Sequence, residues 1–240
     1  MPYYYGYGLD WTYIVLVLPC ILLSMWASSS VNSTFKRYAK VMSTRRITGA
    51  DAAARVLRAN GVHGVRIERV SGNLTDHFNP KSNVIRLSDG VYDSPSVAAI
   101  GVACHEAGHA VQYAEHYGPI KLRAAIIPIT NIGSKLAMPL ILAGLLFGFL
   151  GNFSYTLVYA GIACFSLSLV FQLVTLPVEF NASRRAMRAI EDDNILSQDE
   201  QRGARKTLRA AAMTYVAATA VALAQLLRLI VLFGGRRRRD

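Results

Sequence analysis

The stretch VACHEAGHAVQYAEH, residues Val102–His116, decides how this chain is read. His105 and His109 stand four residues apart, so on a helix both imidazoles leave one face about one turn apart and can meet a single metal ion. Glu106 is rotated sideways from them and can reach a metal-held water without occupying a coordination position. Zn²⁺ suits imidazole and lowers the pKa of its water to about 7, and Glu106 can take the proton as that water attacks a carbonyl. Ala107 and Gly108 keep this face narrow and leave room beside the ion. Upstream, Ser94 has the character of an N-cap and Pro95 that of a first-turn residue, which together predict the start of the helix carrying the motif.

Two histidines and a base make only part of such a site. The extension that continues some zinc helices needs Gly at 112 and His at 115; here those positions are Gln112 and Glu115, so that class is excluded. His116 lies eleven residues beyond His105, about 16 Å along a helix rising ~1.5 Å per residue, and is out of reach. Cys104 points about 100° away from His105 on the helix and is expected to pack rather than ligate. Among the downstream acids, Glu191, Asp192, Asp193, Asp199 and Glu200 fall in EDDNILSQDEQ, which has the composition of a solvated helix end and turn. Glu179 stands apart. It follows Pro177 in LPVEFNASRRA, at the end of an apolar run, where an ionisable group is a functional candidate by default. Two histidines and a glutamate with one open position are the expected donor set of a hydrolytic zinc.

The composition around the motif is that of a membrane protein. Of 240 residues, 52% are hydrophobic and only 17% charged, with a mean hydropathy of +0.29. A net charge of +11 could mark a nucleic-acid binder, but the basic residues cluster beside apolar runs, where they are expected to face acidic phospholipid; no nucleic-acid partner is expected. Three cysteines give no disulfide framework. Four apolar runs are long enough for a bilayer that needs ~20 helical residues: 11–31, 126–150, 155–176 and 210–233, the last interrupted by Gln225 and Arg228. Gly144, Gly148 and Gly151 recur at a spacing that permits close helix packing, and GNFSY (151–155) reads as a tight hairpin. The opening MPYYYGYGLDW has no positive n-region of a signal peptide, and its tyrosines are expected at the headgroup layer.

Loop basicity predicts the orientation. Lys36, Arg37, Lys40, Arg45 and Arg46 crowd after the first run, which places residues 32–125 in the cytoplasm and the N-terminus outside. The arginines at 184, 185, 188, 202 and 205 place the segment after the third run in the cytoplasm as well. If the fourth run crosses fully, Arg236–Arg239 finish outside against the rule. The expected organisation is therefore an N-terminal anchor (1–31), a cytoplasmic catalytic unit (32–125), a transmembrane hairpin (126–176), a cytoplasmic segment (177–209) and a C-terminal membrane segment with a basic tail (210–240). Within 32–125, Thr48 and Asp51 stand at capping-box spacing and open a helix that stops near Asn60–Gly61. Alternation predicts strands at Val65–Val70 and Val84–Ser88, with a turn-rich stretch between them.

The stretches LTDHFNP, VIRLSDGVYDSPSVAAIGVACHEAGHAVQ and LPVEFNASRRA together resemble the YugP-type neutral zinc metallopeptidases of bacterial membranes. More distantly the chain is similar to the HtpX-type and CAAX-prenyl-protease-type membrane gluzincins, whose third ligand is the Glu of an E-x-x-A-D pattern on a later helix. Glu179 and Ala182 match that pattern, which implies His105, His109 and Glu179 as ligands of one Zn²⁺ per chain and Glu106 as the base. The Asp of the pattern is Ser183 here; Ser183 could still hydrogen-bond an imidazole, and Asn181 is another candidate. The resemblance also implies that VIRLS is an edge strand on which an extended substrate lies. Candidates for stabilising the transition state are His77, Tyr92, Arg184 and Arg185.

The fold class expected is thus a mainly α integral membrane protein of about four apolar segments with a small zincin-like α+β cytoplasmic catalytic unit. The function expected is a multi-pass zinc endopeptidase of the bacterial inner membrane, its site facing the cytoplasm and acting on unfolded or membrane-proximal polypeptide. The alternative reading is a zinc-stabilised membrane scaffold that recruits partners without catalysis. A transporter is disfavoured because charged residues within the runs are scarce.

Overall fold

The computed structural model of the chain describes residues 10–148 and 151–234. In chain order its elements are α1 (Leu18–Tyr38), α2 (Gly49–Ala59), β1 (Arg66–Val70), β2 (His77–Asn79), β3 (Val84–Ser88), α3 (Asp89–Tyr92), α4 (Val97–Ala114), α5 (Gly118–Leu146), α6 (Asn152–Asp192) and α7 (Gln198–Gly234). The protein is mostly helical with a small mixed sheet, and among the described residues four helices are long and apolar enough to cross a membrane. The chain divides into two compact units: residues up to Trp26, Ala125–Val174 and Tyr215 onward form one; Ala27–Ala124 and Thr175–Thr214 form the other.

The first unit is built from apolar helix segments whose large side chains face outward. Leu142, Leu146, Phe153, Leu173, Ile230 and Val231 are all exposed, a surface suited to hydrocarbon and unsuited to water. Pro19 does not break the first run. A single π turn, Tyr13–Val17, in which Leu18 N–H donates to the carbonyl of Tyr13, precedes it and hands over to α1 just before the proline. At the α5–α6 contact a Cβ on Gly144 would lie 2.8 Å from the Ser154 carbonyl oxygen, so only glycine fits there. The expectation that Gly148 and Gly151 share this role fails: Gly148 meets open space, and Gly151 adopts φ +59° in the turn before α6.

Arg228, which interrupts the fourth apolar run, is paired with an acidic side chain. Its Nε donates to Oδ2 of Asp10 at 2.9 Å, and its guanidinium lies 5.5 Å from the Tyr13 ring centroid. Tyr159 near the start of α6 donates to the Phe233 carbonyl at 3.2 Å. The beginning of the first run, the α5–α6 turn and the end of α7 therefore lie at one end of this unit. The tyrosine-rich opening and the Arg236–Arg239 tail lie outside the described residues.

The second unit is organised around α4, which is buried on nearly every face. Its core joins Val56 and Leu57 of α2, Ile85 and Leu87 of β3, Ile100 and Ala103 of α4, and Ile190, Ile195 and Leu208 from α6, the following loop and α7. The α2 capping box forms as its sequence requires: Thr48 Oγ1 accepts from Asp51 N–H, Asp51 Oδ2 accepts from Thr48 N–H, and Gly61 closes the helix at φ +64°.

Three expectations are corrected here. The N-cap of α4 is Ser96, whose Oγ accepts from Ala99 N–H at 3.2 Å, and the helix starts at Val97; Ser94 bonds Ser96 from outside. VIRLS is the central strand, not an edge: β3 pairs in parallel with β1 on one side and antiparallel with β2 on the other. Strand β2 lies in the stretch expected to be only turns. It is three residues long and is defined by partners across the sheet, a signal that local alternation does not contain.

Candidate metal centre

Two helices supply the centre. His105 and His109 project from α4, and Glu179 reaches them from α6. Oε2 of Glu179 lies 3.3 Å from Nε2 of His105 and 3.5 Å from Nε2 of His109. The imidazole centroids are 4.7 Å apart with planes at 81°, and one donor atom from each of the three residues lies within 4.8 Å of the others. Glu179 is 2% exposed, and its Oε2, facing the two Nε2 atoms, has no hydrogen-bond donor while both imidazoles carry their proton on Nδ1. A buried carboxylate oxygen left without a hydrogen bond is costly unless a cation completes it. Two nitrogens and one carboxylate oxygen form the donor set that Zn²⁺ prefers, so these residues fit the ion.

The far sides of both imidazoles are held. Oε1 of Gln112 lies 3.0 Å from Nδ1 of His109, and Ser183 Oγ lies 3.2 Å from Nδ1 of His105. With Nδ1–H donating to these oxygens, each Nε2 presents its lone pair to the centre. Gln112 is itself fixed: its amide nitrogen donates to the Val178 carbonyl at 2.8 Å and to Asn181 Oδ1 at 2.9 Å, which assigns Oε1 to His109. The other oxygen of Glu179 accepts from Arg123 Nη1 at 3.0 Å. Burial pushes the His109 pKa down, but the adjacent Glu179, the charge of Glu106 and the Gln112 bond together hold it above the ordinary histidine value. The pocket therefore favours positive charge.

Close approach of α6 to α4 depends on Gly108. A Cβ there would lie 2.8 Å from the Ala182 carbonyl oxygen, so the room left by this glycine is used by the α6 backbone.

Glu106 is 8% exposed, beside the two histidines in the chain. Asn181 reaches His109 only through Gln112, and it also accepts from Arg185 Nε at 2.7 Å. Arg185 in turn pairs with Glu115 at 2.7 Å, tying α6 to the end of α4. Tyr92 packs at the edge of the core with Arg69 5.2 Å above its ring. His77 is exposed on β2, its Nδ1 2.8 Å from the Thr75 carbonyl. Arg184 is exposed on α6. Cys104 is fully buried, burial pushes its thiol pKa up, and the donor atoms that converge belong to His105, His109 and Glu179 without it. The helix ends at Ala114, and His116 sits beyond it at φ +57°.

Gln112 and Arg123 are the supporting residues that sequence reasoning passed over. Gln112 is three residues after His109 on the same helix face, so its contact was available from spacing alone. Arg123 meets a residue 56 positions away, and no local pattern marks it.

The sheet edge nearest to α4 is β2: Phe78 packs edge-on against Tyr113, one turn beyond His109, with centroids 5.7 Å apart.

A family described as "Putative neutral zinc metallopeptidase" matches residues 13–234. A "Putative membrane protease YugP" from Bacillus subtilis (strain 168) is 45% identical over 221 residues, which cover 92% of this chain and 96% of that relative. No solved structure matches significantly.

Proposed function

The chain belongs to this neutral zinc metallopeptidase family, and from that premise we propose that it is a membrane-embedded zinc endopeptidase whose ion is held by His105, His109 and Glu179. The observation that carries the assignment is the orphaned, buried Oε2 of Glu179 facing two Nε2 atoms. Zinc, when bound there, activates water and polarises the scissile carbonyl.

The protein's own groups do the rest. Gln112 and Ser183 fix the tautomer and aim of the two imidazoles. Arg123 holds Glu179 by its second oxygen, so the carboxylate offers one oxygen to the centre. Glu106 takes the proton of the attacking water and delivers it to the leaving amine as the peptide bond breaks. An extended polypeptide pairs by its main chain with the free edge of β2, the sheet edge that lies against α4. The substrate class is unfolded or membrane-proximal polypeptide.

The topology we propose is a multi-pass protein of the bacterial inner membrane with the metal centre on the cytoplasmic side. The basic residues after the first apolar run and around 184–206 support that side.

Replacement of Glu106 by Gln tests the function. Purified Glu106→Gln is expected to hold one zinc per chain, by metal analysis, while cleavage of a casein-like substrate falls about 10²–10⁴-fold. Undiminished cleavage by this variant would overturn the mechanism. Normal cellular function with Glu106→Gln but loss with His105→Ala would instead identify a zinc-stabilised scaffold.

A further inference from the structure

A cavity of about 800 Å³ opens between α6 and α7 within the second unit. Its lining has two characters. Phe180, Met187 and Met213 give it apolar walls, and Arg184, Arg205 and Arg209 bring three guanidinium groups; no Asp or Glu lines it. Arg205 is engaged by Glu191, whereas among the described residues Arg184 and Arg209 are exposed and make no ion pair. Two uncompensated guanidinium groups above apolar walls match a ligand with an anionic head and a hydrocarbon body. Guanidinium groups bind phosphate oxygens in bidentate fashion.

We propose that this cavity binds the headgroup of an anionic phospholipid. Its position in the chain favours lipid over a free anion. Arg209 immediately precedes the apolar run 210–233, and Arg184 follows the run 155–176 by eight residues, about 12 Å of helix. Arg209 flanks its apolar run directly, the long side chain of Arg184 extends the reach of its helix toward the headgroup region, and basic pockets between such helices select acidic headgroups. Ser183 also lines the cavity, and its hydroxyl lies 3.2 Å from Nδ1 of His105, so an occupied site adjoins the group that orients one imidazole. The binding itself does not require the chain to be a protease.

The full-length protein in neutral detergent, titrated with phosphatidylglycerol or phosphatidylcholine and followed by native mass spectrometry, tests the proposal. Wild type is expected to retain phosphatidylglycerol at concentrations at least tenfold below those needed for phosphatidylcholine. The Arg184→Gln/Arg209→Gln pair should lose that preference, each single variant should weaken it, and Arg202→Gln/Lys206→Gln, on the same helix as Arg209 but outside the cavity, should keep it. The single variants keep the comparison readable should the pair not fold. Equal retention of both lipids by wild type, or an undiminished preference in the cavity variants, overturns the proposal. So does displacement by an acidic apolar peptide at lower concentration than phosphatidylglycerol, which makes the cavity a peptide site.

Discussion

Gln112 Oε1 lies 3.0 Å from Nδ1 of His109, on the side of the ring turned away from Glu179. Gln112 is fully buried, and both protons of its amide nitrogen are used on α6. It therefore cannot rotate to offer nitrogen to the imidazole without abandoning two hydrogen bonds, each a net ~0.5–1.5 kcal/mol. Substitution Gln112→Met keeps the volume and removes the acceptor. Zinc affinity, read by competition with a chromogenic chelator, is expected to fall about 10–100-fold. Unchanged affinity would show that the ring is held by packing alone.

Arg123 and Glu179 form a second such pair at 3.0 Å, with the carboxylate 3% and the arginine 28% exposed. Removing a partner from a pair this buried leaves a charge without its counter-ion. In the loaded protein the metal compensates part of that loss, so the effect should appear in metal affinity more than in folding. Arg123→Gln is expected to weaken zinc binding by about tenfold and Glu179→Ala to abolish tight binding, with helical circular dichroism retained in both. Tight zinc in Glu179→Ala would refute the ligand assignment.

Chelation should also destabilise the protein. A ligand that binds only the folded state contributes about 2.7 kcal/mol when present at 100 times its Kd. Excess chelator is therefore expected to lower the melting temperature of wild type in detergent, and to leave Glu179→Ala, which starts without that contribution, unmoved. A melting temperature indifferent to chelator in wild type would mean that the three residues hold no ion under these conditions.

The two serines before α4 give a test of the corrected helix start. Ser96→Ala removes the oxygen that accepts from Ala99 N–H and is expected to cost about 0.5–2 kcal/mol. Ser94→Ala removes two bonds to the cap residue, one donated to Ser96 Oγ and a longer one accepted from Ser96 N–H, but leaves the helix's own Ala99 N–H capped and should cost less. Thermal melts that rank the two variants in the opposite order would restore Ser94 as the cap.

What could be read from the sequence was what short-range order encodes. The Thr48–Asp51 box, the histidines four apart and the long apolar runs are each complete within a few turns of one helix, and the structure forms them accordingly. Glu179 could be singled out because an acid at the end of an apolar run is rare. The order of the sheet could not be read, because β3 becomes central only when β1 and β2 take its two sides, and β2 has three residues and no periodicity. Ser94-Pro95-Ser96 carries cap signals in two registers; the pairing of residues 41–43 with 95–97, Ser43 N–H to the Pro95 carbonyl and Val97 N–H to the Val41 carbonyl, fixes the later one. Arg123 was invisible for a similar reason, since its partner arrives from another helix.

Gly108 decides whether those two helices can meet. A methyl group at this position would sit 2.8 Å from the Ala182 carbonyl oxygen and 3.4 Å from its carbon atoms, all main chain. Alanine is the better helix former by about 1 kcal/mol, so α4 considered alone would gain. Overpacking against a backbone that cannot change rotamer costs about 1–3 kcal/mol, so the clash outweighs the gain in helix propensity. Gly108→Ala is therefore expected to lower the melting temperature and, by moving α6 outward, to draw Glu179 from the imidazoles and weaken zinc binding at least tenfold with helicity intact. Because the obstructing atom belongs to the backbone, adding Ala182→Gly should not restore binding. Rescue by that second change, or zinc affinity equal to wild type in Gly108→Ala alone, would show that α6 has slack at this contact and that the approach of Glu179 is set elsewhere.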